Sequence, residues 1–448
     1  MIAIPTTSSP PASRAWIWKL LILAGVGLLL MVVLLRIGFL IDERQARQRE
    51  AEASVAEAQA GEQTLIGPLL LRHCSESWVD RNGEAQRRDF QLSVLPQQLA
   101  VNGALNQASR YRGLFKVNGY AGRVQLQAQW EAGLAAALQP RAEQPNSRLD
   151  CQPPSLMLAA SDPRGLRSAR LRSEGGQSLP IRPGTTHAVY KQGLHASLPP
   201  LTADQALNLV LELDLVGTQR FALVPAAAAT TMNLRSDWPH PSFGGRFLPS
   251  QREVAETGFS AQWQVSELAS SAGAEVLDHR PAASLDTLGF ELRDPVNPYV
   301  MSDRAIKYGL MFILLTFLCV GLVELLAGRR VHPVQYLLVG LAMSLFFLLL
   351  LSLSEHLSFG LSYLLAAAAA VGLLGFYGAA MLGGWGRGAG FGALIALLYA
   401  TLYGLLSLEQ NSLVIGALLL FVILAAVMTL TRRIDWYALG ATGGALSR

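Results

Sequence analysis

Six long apolar runs constrain this chain more than any other feature of its sequence. One run occupies residues 16–41, and five crowd into the last third, at residues 305–327, 334–353, 357–382, 388–408 and 413–431. A helix needs about 20 apolar residues to cross the hydrocarbon core of a bilayer, because each residue adds about 1.5 Å. The sequence therefore predicts a membrane α-helical bundle of six spans, with one N-terminal anchor and five C-terminal helices.

The first run predicts an uncleaved anchor rather than a cleaved signal peptide. A signal peptide has an apolar region of about 7–15 residues, followed by small residues at the cleavage site. This run is longer, and the charged residues Asp42, Glu43 and Arg44 follow it at once. Lys19 and Arg36 lie near its two ends, from which long side chains reach the headgroup layers.

The charges between the runs predict an orientation. Glu355 and Glu409 occupy the loops after the third and fifth runs, whereas the second, fourth and sixth runs are followed by arginines: Arg329, Arg330, Arg387, Arg432 and Arg433. Basic loops remain on the cytoplasmic side. We therefore expect cytoplasmic termini at residues 1–15 and 432–448, a five-helix bundle at 304–431, and a periplasmic region at 42–303.

Composition agrees with a membrane protein and argues against a nucleic-acid partner. Hydrophobic residues make up 51% of the 448 residues and charged residues 15%, and the mean hydropathy is +0.32. Residues 42–303 hold 25 basic and 28 acidic residues, so the excess positive charge flanks the apolar runs. That placement indicates that the basic residues interact with the lipid bilayer rather than with a nucleic acid. Glu324 and Glu355 are interpreted as interfacial or pair-neutralised, since a charge at mid-bilayer is costly.

The region between the first and second runs has the period of β-strands. Leucines alternate with polar residues at 207–215, and the same alternation recurs at 124–130, 259–265 and 288–292. Such alternation is typical of antiparallel sheets with one buried face. We expect a large β-rich, sandwich-like extracytoplasmic domain of one or two subdomains. A solvated polar helix should precede it, and residues 131–148 read as an irregular insertion or a boundary.

Cysteines and chemical motifs add little to this assignment. Cys74 and Cys151 both lie in the extracytoplasmic region, where a disulfide is plausible and two separate thiols are nearly as plausible. His73 stands beside Cys74 without the further ligands that a zinc site needs. No G-x-S-x-G, H-E-x-x-H or P-loop motif occurs in the sequence. We therefore predict no metal, no cofactor and no catalytic site.

One segment, residues 236–254, combines aromatic residues with prolines and glycines. Its motif residues are Asp237, Trp238, His240, Pro241, Phe243, Phe247, Leu248 and Pro249. A tryptophan and phenylalanines held by prolines would make an anchor for a partner protein or a glycan. The same residues also describe a corner between strands, with its aromatics buried and Gly244 and Gly245 at positive φ. We favour the structural interpretation, since buried aromatics are commoner than exposed anchors.

Several blocks of the chain resemble the CreD-type inner membrane proteins of Gram-negative bacteria. The blocks are residues 65–70, 236–263, 303–317, 332–356 and 433–437. Residues 72–200 resemble that family only loosely. The resemblance implies an anchor, a periplasmic domain and a helical bundle, with expression under the CreBC two-component system and a part in envelope stress and β-lactam responses. It implies no reaction.

Three classes of function follow as alternatives. The first, which we favour, is a non-enzymatic envelope-integrity protein of the inner membrane that binds another envelope protein or a cell-wall component. The second is a transporter or lipid-handling protein, and the third is an envelope hydrolase using Asp237 and His240. The sequence leaves the partner and the oligomeric state open.

Overall fold

The computed structural model describes residues 12–201, 206–294, 297–327, 331–407 and 412–432. The chain forms two compact units. One combines the residues up to 47 with those from 296 onward, and the other holds residues 48–295. We call them the helical unit and the β-rich unit.

Long apolar helices build the helical unit. In chain order, α1 comes first, the short helices α2 and α3 lie within the β-rich unit, and α4 to α8 follow. The helices are α1 (Ala12–Ala58), α2 (Leu134–Ala137), α3 (Ala272–Leu277), α4 (Pro298–Ala327), α5 (Pro333–Ser354), α6 (Phe359–Leu382), α7 (Trp385–Ser407) and α8 (Ser412–Thr431). Within the described residues, α1, α4, α5, α6 and α7 are long and apolar enough to cross a membrane. In α8 a shorter apolar stretch covers Gly416–Thr429.

The outer surface of the helical unit is apolar, and its helices meet where small residues allow close approach. Leu364, Phe376 and Leu397 are each more than 60% exposed, as residues facing lipid tails would be. Helices α6 and α7 approach so closely that a Cβ added at Gly388 would lie 2.5 Å from Ala379. The glycine-rich stretches of the sequence therefore serve helix packing, as small residues do in lipid.

Nineteen described strands form two large sheets and a hairpin in the β-rich unit. The strands are β1 (Gln63–Val79), β2 (Ala85–Val94), β3 (Gln98–Gln107), β4 (Arg110–Arg112), β5 (Phe115–Val117), β6 (Gly119–Trp130), β7 (Arg148–Cys151), β8 (Ser155–Ala160), β9 (Leu166–Ser173), β10 (Ser178–Leu179), β11 (Arg182–Pro183), β12 (Gly193–Ser197), β13 (Leu207–Thr218), β14 (Arg220–Val224), β15 (Ala229–Ser236), β16 (Pro241–Gly245), β17 (Gln251–Ala255), β18 (Gly258–Ser266) and β19 (Leu288–Leu292). Sheet A has the order β11-β12-β8-β1-β14-β19-β16, with β2 and β7 also paired to β1. Sheet B has the order β10-β9-β13-β6-β3-β15-β18-β17, and β4 pairs with β5.

Both sheets are mixed, which corrects the expectation of purely antiparallel pairing. Strand β1 runs parallel to β14, and β3 runs parallel to β15. Each parallel pair joins strands that are more than a hundred residues apart in the sequence, whereas the alternation pattern carries information only about a strand's own faces. The alternating segments themselves became strands β6, β13, β18 and β19.

One hydrophobic core holds the inner residues of both sheets. Leu158, Phe221 and Phe290 of sheet A belong to the same cluster as Leu126 and Trp263 of sheet B. A second cluster, which includes Leu69, Met157 and Val276, covers the other side of sheet A. Sheet A is therefore buried on both faces, which explains the continuous apolar run of β8. Sheet B keeps one polar face.

Two further expectations need correction in part. The end of α1 is only partly solvated, because Ala51 and Val55 are buried one helical turn apart. Residues 131–148 are part of the β-rich unit rather than a boundary, with Leu134 and Leu138 buried in its core. A buried carboxylate fixes the rest of that segment. Glu76 accepts hydrogen bonds from the backbone of Glu143 and Gln144 and from Ser147 Oγ, at 2.7–2.9 Å.

Candidate functional site

Residues 236–254 connect the two sheets, and we call them the crossover segment. Strand β15 of sheet B ends at Ser236, β16 then lies at the edge of sheet A, and β17 returns to the edge of sheet B. The segment thus contains two short edge strands rather than a loop alone. Pro241 occupies the first position of an edge strand, where its missing N–H leaves no ladder bond unmade.

The first aromatic residue of the crossover segment is buried. Trp238 is 4% exposed, and its indole Nε1 donates a hydrogen bond of 2.8 Å to the backbone oxygen of His240. The Lys116 ammonium lies 5.4 Å from the centre of the ring. The neighbouring Asp237 carboxylate accepts a 2.6 Å hydrogen bond from the backbone N–H of Gln107. Trp238 therefore contributes to the core, and Asp237 ties this corner to β3.

The phenylalanines of the crossover segment also pack inward. Phe243 makes edge-to-face contacts with Phe259 and Trp263, at ring-centre distances of 5.5 and 5.8 Å. The indole of Trp263 donates a 3.2 Å hydrogen bond to the backbone oxygen of Phe247. Phe243 and Phe247 are each half-buried against the shared core. These contacts hold the segment across the edges of both sheets.

The crossover segment turns at Gly245 and leaves its other motif residues less covered. Gly245 has φ +90°, and a Cβ there would lie 2.1 Å from the backbone oxygen of Thr287. Gly244, which was also expected at positive φ, has an ordinary backbone. His240 and Leu248 are exposed, and Pro249 is partly exposed. Within the described residues no hydrogen bond joins the Asp237 and His240 side chains, so the geometry nominates no acid–base pair there.

A second candidate site is the cleft beside the two cysteines. Cys74 of β1 and Cys151 of β7 are directly opposite in register and form a disulfide, with their Cα atoms 4.1 Å apart. The adjoining cleft has a volume of about 740 Å³ and is lined by polar residues, among them His73, Asp89 and His279. We call it the disulfide cleft. Cys319, in α4, is the free cysteine.

A buried histidine lies behind the disulfide cleft. The Nδ1 atom of His187 accepts hydrogen bonds from the backbone N–H groups of Val189 and Tyr190, at 3.1 and 3.2 Å. Its ring stacks on Tyr190 at 4.6 Å and lies 4.9 Å from the ring of His279. Burial, the largest cause, and the nearby His279 and His73 together lower the pKa of His187 to about 4. The imidazole is therefore neutral and carries its proton on Nε2.

Sequence reasoning named only His73 of these three histidines. His187 and His279 lie far from it in the sequence, and their approach depends on how the loops after β11 and α3 fold. No group of three or more histidine, cysteine or acidic side chains within the described residues is placed to hold a metal ion. His73 and His279 line the disulfide cleft, and His187 packs against His279.

Two ion pairs connect α1 to the other helices of the helical unit. Near its start, Lys19 binds Glu324 of α4, and the Tyr336 hydroxyl of α5 donates to the same carboxylate at 3.0 Å. Near its other end, Arg44 lies 3.3 Å from Glu355 at the end of α5. The two basic residues are 25 positions apart, or about 37 Å along a helix, which slightly exceeds the hydrocarbon thickness of about 30 Å. Glu324 is thus neutralised by Lys19, a partner that its sequence neighbourhood did not indicate.

The arginines that predict orientation are only partly described. Arg387, in the first turn of α7, donates a 3.1 Å hydrogen bond to the backbone oxygen of Leu382 at the end of α6. Arg432 is exposed immediately after α8. Arg329, Arg330 and Arg433 lie outside the described residues, as does most of the segment 432–448. The orientation remains a prediction.

These apolar helices, together with a large β-rich unit, define a multi-pass membrane protein that also carries a large folded unit of β-strands. The sequence profile of the family described as "Inner membrane protein CreD" matches residues 15–437. The inner membrane protein CreD of Escherichia coli (strain K12) is 35% identical over 434 residues, which cover 94% of each chain. The chain therefore belongs to the CreD family of inner membrane proteins.

Proposed function

We propose that this protein supports the integrity of the cell envelope by binding another envelope component through residues 48–295, placed in the periplasm, without catalysis. The observation that carries the proposal is the outer surface of sheet B in the β-rich unit: among the described residues, one face of this sheet is polar, and its side chains are partly or fully exposed. A folded unit of this size is suited to contact with components outside the bilayer. In this proposal all six helices cross the membrane and both termini are cytoplasmic.

The orientation is tested by labelling single cysteines from outside intact cells, in a background lacking Cys319. We expect reagent to reach cysteines at positions 355 and 409, and to leave positions 329 and 387 unlabelled until the cells are opened. The opposite pattern would place the β-rich unit in the cytoplasm and end the proposal.

The function is tested by deleting the gene and measuring the sensitivity of cells to a detergent and to a β-lactam. We expect increased sensitivity, restored by the full chain. A photo-crosslinking residue at the exposed position 102, on the polar face of sheet B, should then capture an envelope component in living cells. An unchanged deletion strain would contradict the proposed role.

One observation favours a second candidate, a lipid-handling protein. Helices α6 and α7 enclose a groove of about 500 Å³ lined by small residues and by Tyr363, Tyr399 and Tyr403. The Tyr363 hydroxyl donates to the backbone oxygen of Tyr399 at 2.7 Å, and the Tyr399 hydroxyl is buried without a partner among the described residues. Such a groove suits an acyl chain. Native mass spectrometry of the purified protein, compared with an Ala367→Leu variant that fills the groove, tests whether a lipid is retained there.

A further inference from the structure

The polar face of sheet B carries a continuous row of carboxamide side chains. Gln125 of β6 pairs in register with Asn102 of β3, Asn102 pairs with Asn233 of β15, Asn233 with Gln262 of β18, and Gln262 with Gln251 of β17. We call these five residues the amide rung. Because adjacent strands are about 4.8 Å apart, the rung extends for about 19 Å across the sheet.

The amide rung forms the floor of a groove in the β-rich unit. The groove has a volume of about 1030 Å³ and is lined by all five amides. Asn102, Asn233 and Gln251 are exposed, and Gln125 and Gln262 are half-buried. Asn233 Nδ2 donates to Asn102 Oδ1 at 3.1 Å, which leaves both groups with unused donors or acceptors. The surface is therefore rich in hydrogen-bonding groups that have no partner among the residues that the structure describes.

The residue types on this face are not those that a strand needs for stability. Asparagine is depleted in strands relative to threonine and other β-branched residues, yet it occupies the central positions of β3 and β15. Further amides stand on the same face along β6, at Gln127 and Gln129. A sheet that needed only a wetted surface would be expected to use threonine or charged residues at such positions.

The chemistry of the groove specifies its ligand. Each carboxamide offers both a donor and an acceptor, which matches a hydroxyl or an acetamido group. Charges stand only around the rung, and one of them, Arg123, is paired with Asp214 at 3.0 Å. Three arginines and two glutamates line the groove, so neither an anionic nor a cationic polymer is strongly favoured. We infer that the amide rung binds a neutral glycan strand rich in hydroxyl and acetamido groups, which lies across the strands of sheet B.

This inference names the ligand class for the binding role proposed above, and it rests on that proposal. The floor of the groove offers no aromatic ring for stacking, so binding relies on hydrogen bonds and each site is weak. A polymer that engages several protein copies would compensate through multivalency. Ionic strength should have little effect on the affinity for the glycan, because the proposed contacts include no charge pair with the ligand.

The test uses the full chain in lipid nanodiscs and soluble N-acetylglucosamine hexamer as the probe. We expect measurable binding at low and high salt, weakened at least tenfold in the double variant Asn102→Ala, Asn233→Ala. The matched control is Gln192→Ala, an exposed amide outside the groove, which should bind within twofold of the unchanged protein. Equal binding by the double variant, or no binding by the unchanged protein, overturns the inference. Salt-sensitive binding of heparin in place of the hexamer overturns it as well.

The same variants separate this inference from the proposed function. If the double variant loses hexamer binding and its cells lose envelope protection, both stand. If it loses binding while the cells stay protected, the glycan site stands and the proposed role of this face fails. If binding is unchanged while protection is lost, the glycan inference fails and the envelope role stands.

Discussion

The crossover segment and the amide face share Gln251 of β17, yet their other residues behave in opposite ways. In the crossover segment, two of the motif residues are held by the fold: Trp238 lies in the core, and Asp237 accepts a hydrogen bond from the backbone of Gln107. On the amide face, ordinary polar residues such as Asn102 and Asn233 are exposed. The contrast teaches that an unusual composition here marks a structural junction. The surface that offers hydrogen-bonding groups is built from polar residues that no sequence motif singles out.

Removal of the disulfide should cause the largest loss of stability, and this loss is a reference for the smaller effects expected in the two regions. Cys74 and Cys151 are 77 residues apart, and a closed loop of that length stabilises a fold by about 4–5 kcal/mol in the chain-entropy picture. Replacing both cysteines by alanine should lower the midpoint of denaturation accordingly. Alkylation of the denatured, unreduced protein should label Cys319 alone, and three labelled thiols would show that the bridge does not form. Cys319→Ala is the control.

Trp238→Ala tests whether the crossover segment is structural. Loss of a buried tryptophan typically costs about 3–5 kcal/mol, because the cavity is only partly refilled. Leu248→Ala, at a side chain 67% exposed in the same segment, should change stability by less than about 0.5 kcal/mol. Chemical denaturation of both variants measures the difference. A stable Trp238→Ala variant that no longer protects the envelope would instead make the segment a docking site.

The sequence could predict much of each strand but little of what the strands form together. Alternation revealed β13 and the inward side of β18, because burial of one face is a local property of a strand. The amide rung depends on the register between five strands from distant parts of the chain, which no local pattern encodes. The same limit hid the parallel pairing of β3 with β15 and the approach of His187 to His279. Trp238 was expected to be buried because a large apolar ring is rarely left in water.

A pH titration sharpens the comparison by contrasting a buried histidine with the exposed His240 of the crossover segment. The pKa of His187 falls to about 4 in the fold, below its ordinary 6.5, so the unfolded chain binds the proton first as the pH falls. The contribution of neutral His187 to the free energy of unfolding is therefore fully present above pH 6.5, and it is lost as the pH falls from about 6.5 to 4. After allowance for solvent screening, the loss is about 1 kcal/mol. His187→Asn keeps an acceptor near the Nδ1 position and should reduce this decline.

The His240→Ala variant is the control for that titration, since its ring is exposed and its backbone oxygen, not its side chain, accepts from Trp238. The decline should persist in it. His73 and His279 face His187, so each is replaced in turn to confirm which imidazole is responsible. A decline that survives His187→Asn in full would assign the pH dependence to another group.

The smallest expected change in stability concerns the amide face. The informative result is whether substitution there stabilises or destabilises the fold. Asn102→Thr and Asn233→Thr place residues of higher β-propensity at exposed central positions of sheet B. If the amides are present for binding, these changes should leave stability unchanged or raise it by a few tenths of a kcal/mol, as substitutions that relieve a functional compromise do. If the hydrogen bond between Asn233 and Asn102 holds the sheet, each change should instead cost about 1 kcal/mol, and a double-mutant cycle should show coupling between the two positions. Denaturation midpoints of the two single variants and the double variant separate these outcomes. Coupled destabilisation would place the amide rung with the crossover segment as part of the structural framework and remove the contrast between them.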